Sequence, residues 1–298
     1  MKRIRKMIKR NIEKILPPPP VHFVGNGFRV HNFIPGVHPL SMARMDPFIL
    51  LDYNSSYYFP PTDEPRGVGV HPHRGFETVS IAYKGRIAHH DSFGNSGVIG
   101  EGDVQWMTAS SGLLHKEYHE KEFARAGGDF HMVQIWVNLP AKDKMSPPKY
   151  QPITNEQMGK HLLPANNGTI EVIAGSYGST HGPAYTFTPI DLMNAKLNAG
   201  GSADFVFRAK HNTALLLVEG KVRINGTQIV PVDHFVLFKN DGDRFTIEAT
   251  EKSIALILSG EPILEPIAAH GPFVMNTKDE IYQAFEDVEN GKFGRLED

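Results

Sequence analysis

Between residues 21 and 140 the chain is a succession of short apolar stretches, each cut off within a few residues by Gly, Asn, Asp or Pro. VHFVGNGFRV, PFILLDYN, TVSIAYKGRIAHHDSFGNSG, GDVQWMTA and HMVQIWVNLP follow one another with no sustained helical period. Runs of this length with turn residues between them read as strands, and many of them at close spacing suggest a sandwich or a barrel. The pattern lapses over residues 140–165, where proline recurs and polar residues dominate. It then returns in TIEVIAG, ADFVFRAKHNTALLLVEGKVRIN, DHFVLF, RFTIEAT and SIALILSG. Two pieces of the second block align with the first: TALLLVEGKVRI with TVSIAYKGRI, and DHFVLFKN with GDVQWMTA. A duplicated barrel explains two such blocks better than one large sheet, and 298 residues suit two domains of about 150 each.

The division this predicts is a basic N-terminal arm with a proline spacer (1–20), a first β-domain (21–145), a linker (146–165) and a second β-domain with a terminal helix (166–298). In the arm, Ile4, Met7, Ile8, Ile12, Ile15 and Leu16 recur at helical spacing, and Pro17 to Pro20 end the helix as a stiff extended spacer. Residues 1–16 hold seven of the 31 basic residues and one of the 33 acidic ones, which leaves a net −8 on the rest of the chain. A body this acidic is a poor direct binder of nucleic acid. The arm itself suits a solvated or loosely docked surface helix, or contact with an anionic membrane surface or a protein partner. In the tail, Thr277 with Glu280 reads as a capping box. Ile281, Ala284, Phe285 and Val288 follow at helical spacing, and Gly291 stops the helix.

There is no cysteine, which excludes disulfides, thiolate metal sites and a cysteine nucleophile and fits a reducing cytoplasm. No run approaches the roughly 20 apolar residues of a membrane helix, and the basic N-terminus is not followed by the apolar core of a secretory signal. With 15 histidines and no thiols, any metal here is held by nitrogen and oxygen.

His71-Pro72-His73 stands just before the strand-like TVSIAY. In an extended chain residues i and i+2 share a face, so both imidazoles can converge on one ion while Pro72 takes the other face. His115-Lys116-Glu117 repeats the same spacing after Gly112. Two such pairs on neighbouring strands give three imidazoles and a carboxylate, a set that suits a divalent first-row metal with open coordination positions. Glu77 is a rival ligand. Counted back along the chain it shares parity with His71 and His73, and its alternative role is to orient a ligand histidine.

His71 to Gly85 (HPHRGFETVSIAYKG) follows the first cupin motif, and Gly102 to Glu117 (GDVQWMTASSGLLHKE) resembles the second. HPHRGFETV, GDVQWMTA followed by G-L-L-H-x-E, WVNLP and HGPFVMNT resemble the pirin family over about residues 21–294. The resemblance implies an all-β chain of two cupin (double-stranded β-helix, jelly-roll) barrels, with one metal in the first. Carried over residue by residue, its ligands are His71, His73, His115 and Glu117, with Glu77 outside the ligand set. The second barrel offers only His211 and His234 at the corresponding places, so the family pattern implies that it is metal-free.

Pirins resemble cupin dioxygenases, which implies quercetin 2,3-dioxygenase-like chemistry on a small aromatic or enediol substrate with O2. The implied cofactor is iron first, with Mn, Ni, Co, Cu or Zn as alternatives. Glu117, or else Glu77, would then take the substrate proton, and Phe48, Phe76, Trp106, Met107 and Gln134 would contact the substrate. The family equally implies a second reading, in which the metal makes a redox-sensitive, non-enzymatic regulator of a transcription factor or metabolic enzyme. A third reading, a cupin isomerase or a binder of sugars or small acids, fits the pirin wording less well.

Overall fold

Strand β1 (Ile12–Leu16) is where the structure first departs from the sequence pattern. The computed structural model describes residues 7–297, and within them the arm is not helical. β1 runs antiparallel to Phe235–Phe238, with Ile12 opposite Phe238 and Leu16 opposite Phe235. The remainder of the expected helix, residues 1–6, lies outside the described residues. A lone helix of this length is marginal in water. The strand is instead anchored by Ile12 and Ile15 on an apolar barrel interior and by the fully buried Arg10. Arg10 donates to the carbonyls of Gly242, His211 and Arg208 and to the Thr213 hydroxyl. This partner surface is some 200 residues distant in sequence, so no local periodicity reveals it.

The chain is 52% strand and 11% helix and divides into two units. One joins Pro19–Gln157 to Ile263–Asp298, and the other joins Met1–Pro18 (described from residue 7) to Met158–Pro262. The C-terminal helix Lys278–Glu289 therefore belongs with the first β-domain, not with the second as the consecutive division of the sequence has it. It carries the capping box between Thr277 and Glu280, and its Ile281 and Ala284 pack with Phe273, Met275 and Phe293.

The first unit contains β2 (His22–Val24), β3 (Phe28–Ile34), β4 (Phe48–Phe59), β5 (Gly67–His73), β6 (Phe76–Lys84) and β7 (Ile87–Asp91). It continues with β8 (Ser96–Ile99), β9 (Val104–Thr108), β10 (Leu113–His119), β11 (Gly128–Asn138) and β12 (Lys149–Ile153). They form a seven-stranded sheet in the order β12-β9-β6-β11-β4-β3-β2 and a four-stranded sheet in the order β5-β10-β7-β8. β12 lies inside the stretch expected to be linker. It is an edge strand on β9, a position that tolerates its Pro152.

The second unit repeats this arrangement strand for strand. Its long sheet runs Ile12–Leu16, Phe235–Phe238, Asn212–Glu219, Ser253–Gly260, Ile190–Leu197, Gly168–Ala174, Gly159–Leu162. Its short sheet runs Ser202–Val206, Arg244–Ala249, Lys221–Ile224, Gln228–Pro231. β1 thus holds in one barrel the edge that β12 holds in the other, and the two aligned sequence pieces fall on equivalent strands. Gly85 and Gly220 end the paired strands at φ +82° and +79°. A Cβ at Gly85 would come within 2.7 Å of the Phe130 ring. The two barrels differ in filling: Phe205, Leu215, Leu217, Val236, Phe238, Phe245 and Ile257 pack the interior of the second. No helix among the described residues is long and apolar enough to cross a membrane.

Candidate metal centre

Strand pairing, more than spacing along the chain, assembles the site. β10 lies between β5 and β7. On one side His115 pairs with His71 and Leu114 with Pro72; on the other His115 pairs with Asp91 and Glu117 with His89. Facing residues in an antiparallel pair share a face. Pairing therefore adds His89 and Asp91 to the face that already carries His71, His73, His115 and Glu117. β5 is the edge of its sheet, which is why Pro72 costs no ladder hydrogen bond there.

His71, His73 and His115 form one group whose ligand atoms all lie within 4.8 Å of one another. Their ring centroids stand 4.2 to 4.8 Å apart. His71 donates Nδ1–H to the Gly69 carbonyl at 2.8 Å, and His73 donates Nδ1–H to the Pro272 carbonyl at 3.3 Å. Both Nε2 atoms are left as bare acceptors. Nε2 of His115 is buried with no hydrogen-bond partner. An unmet buried polar atom costs about 1–3 kcal/mol, and a cation among three bare imidazole nitrogens would remove that cost. Burial, and then the neighbouring His71, push the His73 and His115 pKa values well below 6.5, so both rings stay neutral, the form that binds metal. The donor set fits a divalent metal ion.

Glu117 does not join that group; it forms a second one with His115 and His89. Its Oε2 accepts from Gln134 Nε2 at 2.8 Å, and its Oε1 accepts from Gln105 Nε2 at 3.1 Å and Ser80 Oγ at 3.3 Å. The register between β5 and β10 also slips between His115 and Glu117, which sets Glu117 opposite Val68 rather than Gly69. The structure thus brings together three of the four ligands expected from the sequence and places the fourth beside them.

The rival ligand Glu77 is elsewhere. Its Oε1 accepts from Thr108 Oγ1 at 2.7 Å, and it belongs to neither metal-capable group. Burial pushes its pKa up to about 7 against the hydrogen bonds from Thr108 and Trp106. The parity count from His73 fails because the chain turns between β5 and β6 at Gly75, with φ +91°.

A cavity of about 330 Å3 opens beside the histidines. His71, His73, Glu117 and Gln134 meet it, together with Phe28, Val30, Val68, Met132, Trp136 and Asp52. Of the five substrate contacts expected from sequence, only Gln134 lines it. Phe76 is buried behind it, stacked at 4.1 Å on Trp136. Phe48, Trp106 and Met107 are wholly buried and do not line it; Met107 packs with Ala109, Leu113 and Tyr150. The residues missed were readable: Met132 and Trp136 stand two places either side of Gln134, and Phe28 and Val30 alternate in GFRV. His89 and Asp91 likewise repeat the i, i+2 spacing that singled out His71 and His73.

Similarity to known proteins is extensive. Residues 27–137 match the family described as Pirin, and residues 192–294 match the Pirin C-terminal cupin domain. A Pseudomonas aeruginosa protein provisionally named a quercetin 2,3-dioxygenase is 46% identical over 274 residues, covering 92% of this chain and 95% of its own. Human Pirin is 35% identical over 259 residues, covering 85% of this chain and 84% of its own. A crystal structure named quercetin 2,3-dioxygenase, from Acinetobacter baumannii, superposes with a TM-score of 0.91 at 43% identity, over 97% of this chain and all of that one. Fold, histidine cluster and both sequence matches agree: this chain is a two-barrel cupin that belongs to the pirin family.

Proposed function

We propose that the protein is a metal-dependent dioxygenase that cleaves a flavonol or a related enediol with O2. One ion, iron before Mn, Ni, Co, Cu or Zn, is held by His71, His73, His115 and Glu117. The observation that carries this reading is the cluster of three imidazoles, His115 with a buried and unpartnered Nε2, beside an apolar cavity that His71, His73 and the Glu117 carboxylate line. The names of relatives 43% and 46% identical support it. When bound, the ion supplies a Lewis-acidic, redox-capable centre with open coordination positions.

The rest is the work of this chain's side chains. At about 330 Å3 the cavity lies at the small end of ligand sites, which run from about 300 to 1,000 Å3. Phe28, Val30, Val68, Met132 and Trp136 enclose a flat ring system and exclude water from it. Glu117 meets the same cavity and accepts the proton of the substrate hydroxyl. Gln134, Gln105 and Ser80 aim its two oxygens.

The test is oxygen uptake by iron-loaded protein with a flavonol. Glu117→Gln keeps the shape but cannot take a proton, so turnover should fall roughly 100-fold or more, from the lower limit of the range for general-base catalysis upwards. Metal content, measured alongside, should fall less than turnover because His71, His73 and His115 remain, and flavonol affinity should change far less. Normal turnover in Glu117→Gln removes Glu117 as base. No oxygen uptake by iron-loaded wild type with any flavonol or enediol overturns the dioxygenase reading in favour of a non-enzymatic regulator.

A further inference from the structure

Nδ1 of His115 lies 3.4 Å from Nδ1 of His89, so one of the two nitrogens carries a proton and the other accepts it. Gln105 decides which. Its Nε2, a donor only, also points at His89 Nδ1, at 3.3 Å. Two donors thus converge on His89 Nδ1, which is therefore the acceptor, and His115 carries its proton on Nδ1. A neutral His89 then bears its own proton on Nε2, which lies 3.4 Å from Asp91 Oδ2. Asp91 is fixed in turn by the backbone N–H groups of Phe93 and Asn95 and by the Asn95 amide. Tyr150 stacks on the His89 ring at 5.0 Å, nearly parallel, and its hydroxyl donates to Gln105 Oε1. His89 is wholly buried and Asp91 nearly so.

We infer that His89 and Asp91 are positioning residues that lock His115 in the Nδ1–H tautomer and thereby present its bare Nε2 to the metal. The inference rests on the metal reading above but not on any reaction, since it concerns only how the site is prepared. His71 and His73 are fixed by backbone carbonyls, which any sequence offers. His115, with no carbonyl at its Nδ1, depends on two side chains of β7. Removing such a partner typically costs 10–100-fold in metal affinity. The competing role, His89 as a ligand in its own right alongside His115 and Glu117, predicts different behaviour.

The experiment uses the full chain and Co(II), with affinity read by chelator competition and the site read by paramagnetic proton NMR. Wild type should show hyperfine-shifted N–H signals from three bound imidazoles, with that of His115 protected from exchange. His89→Phe should weaken Co(II) binding roughly 10–100-fold and expose the His115 N–H to rapid exchange. His89→Gln should restore both, because its amide accepts from His115 and donates to Asp91. Four metal-bound imidazoles in wild type, or equal loss in His89→Gln and His89→Phe, would make His89 a ligand and overturn the inference. Wild-type affinity in His89→Phe would overturn it as well. If His89→Phe does not fold, the wild-type count still decides between the two roles. Failure of wild type to bind Co(II) sinks the metal reading itself, whereas tight Co(II) binding without oxygen uptake on iron sinks only the dioxygenase.

Discussion

The metal-free protein should respond to acid through three buried groups that pull in opposite directions. His119 stacks on Phe130 at 4.2 Å and donates to the Gly27 carbonyl, and His131 meets the Tyr53 hydroxyl at 3.0 Å. Burial is the main cause that pushes both down from 6.5 to about 4. The unfolded chain then takes up protons more readily than the folded one between pH 6.5 and 4. The stability these rings give is complete above pH 6.5 and drains away towards pH 4. At about 1.36 kcal/mol per pKa unit, each loss comes to about 3 kcal/mol. Glu77 works the other way. Its rise from 4.5 to about 7 means that the folded state holds the proton better, so stability increases by about 3 kcal/mol as pH falls through that window.

The net change from pH 7 to 4 from these three groups is therefore a loss of about 3 kcal/mol, a large part of the 5–15 kcal/mol that typically holds a domain together. His73 and His115 add to the loss in the same direction. Urea titrations at several pH values in chelator, followed by tryptophan fluorescence, report on this unit, because both Trp106 and Trp136 lie within it. His131→Phe should flatten the acid loss by about 3 kcal/mol, and Glu77→Gln should steepen it by about the same amount. The two variants thus move the slope in opposite senses, which no general acid sensitivity would do. Equal slopes in wild type and both variants would refute the reasoning.

Met132→Trp fills the apolar cavity beside the histidines and should raise the flavonol KM at least 10-fold while metal content by elemental analysis stays unchanged. Arg10→Ala removes four charge-assisted hydrogen bonds, three of them buried, and should destabilise the second barrel by about 3–5 kcal/mol, read as an earlier urea transition by circular dichroism.

How much of the site was legible depended on whether a residue's face could be counted from its neighbours. His71 with His73, and His115 with Glu117, sit inside unbroken strands, where alternation holds, and three of those four gather as the spacing implied. Glu77 lies across the turn at Gly75, where alternation restarts, and there the count fails. Trp106 and Met107 were chosen for their place in a motif, which carries no information about face. The counting rule, applied outward from Gln134, would have found Met132 and Trp136. The N-terminal arm illustrates a different limit. Its apolar residues serve a helix or an edge strand about equally, and what decides is a ladder with Phe235–Phe238 that no local window contains.

The internal repeat carries more information about the centre than either half alone. Aligning Gly85 with Gly220 sets Ser80 against Leu215 and Ala82 against Leu217, and the second aligned piece sets Gln105 against Val236. Leu215, Leu217 and Val236 are all interior residues of the second barrel, so their counterparts face the interior of the first. Ser80 and Gln105 are two of the three donors that hold Glu117. Trp106 has the opposite parity and aligns with Leu237, which is buried but lies outside that interior cluster. The comparison thus turns Trp106 away from that interior and turns Gln105 towards it, where it holds Glu117 without itself lining the cavity. It also explains why the second barrel differs at every one of these positions together. A buried carboxylate is tolerable only while all its donors are present, and a half-met polar network is worse than an apolar core. Loss of the carboxylate leaves Ser and Gln buried without a role, and Leu and Val then fill the same volume at a gain in stability.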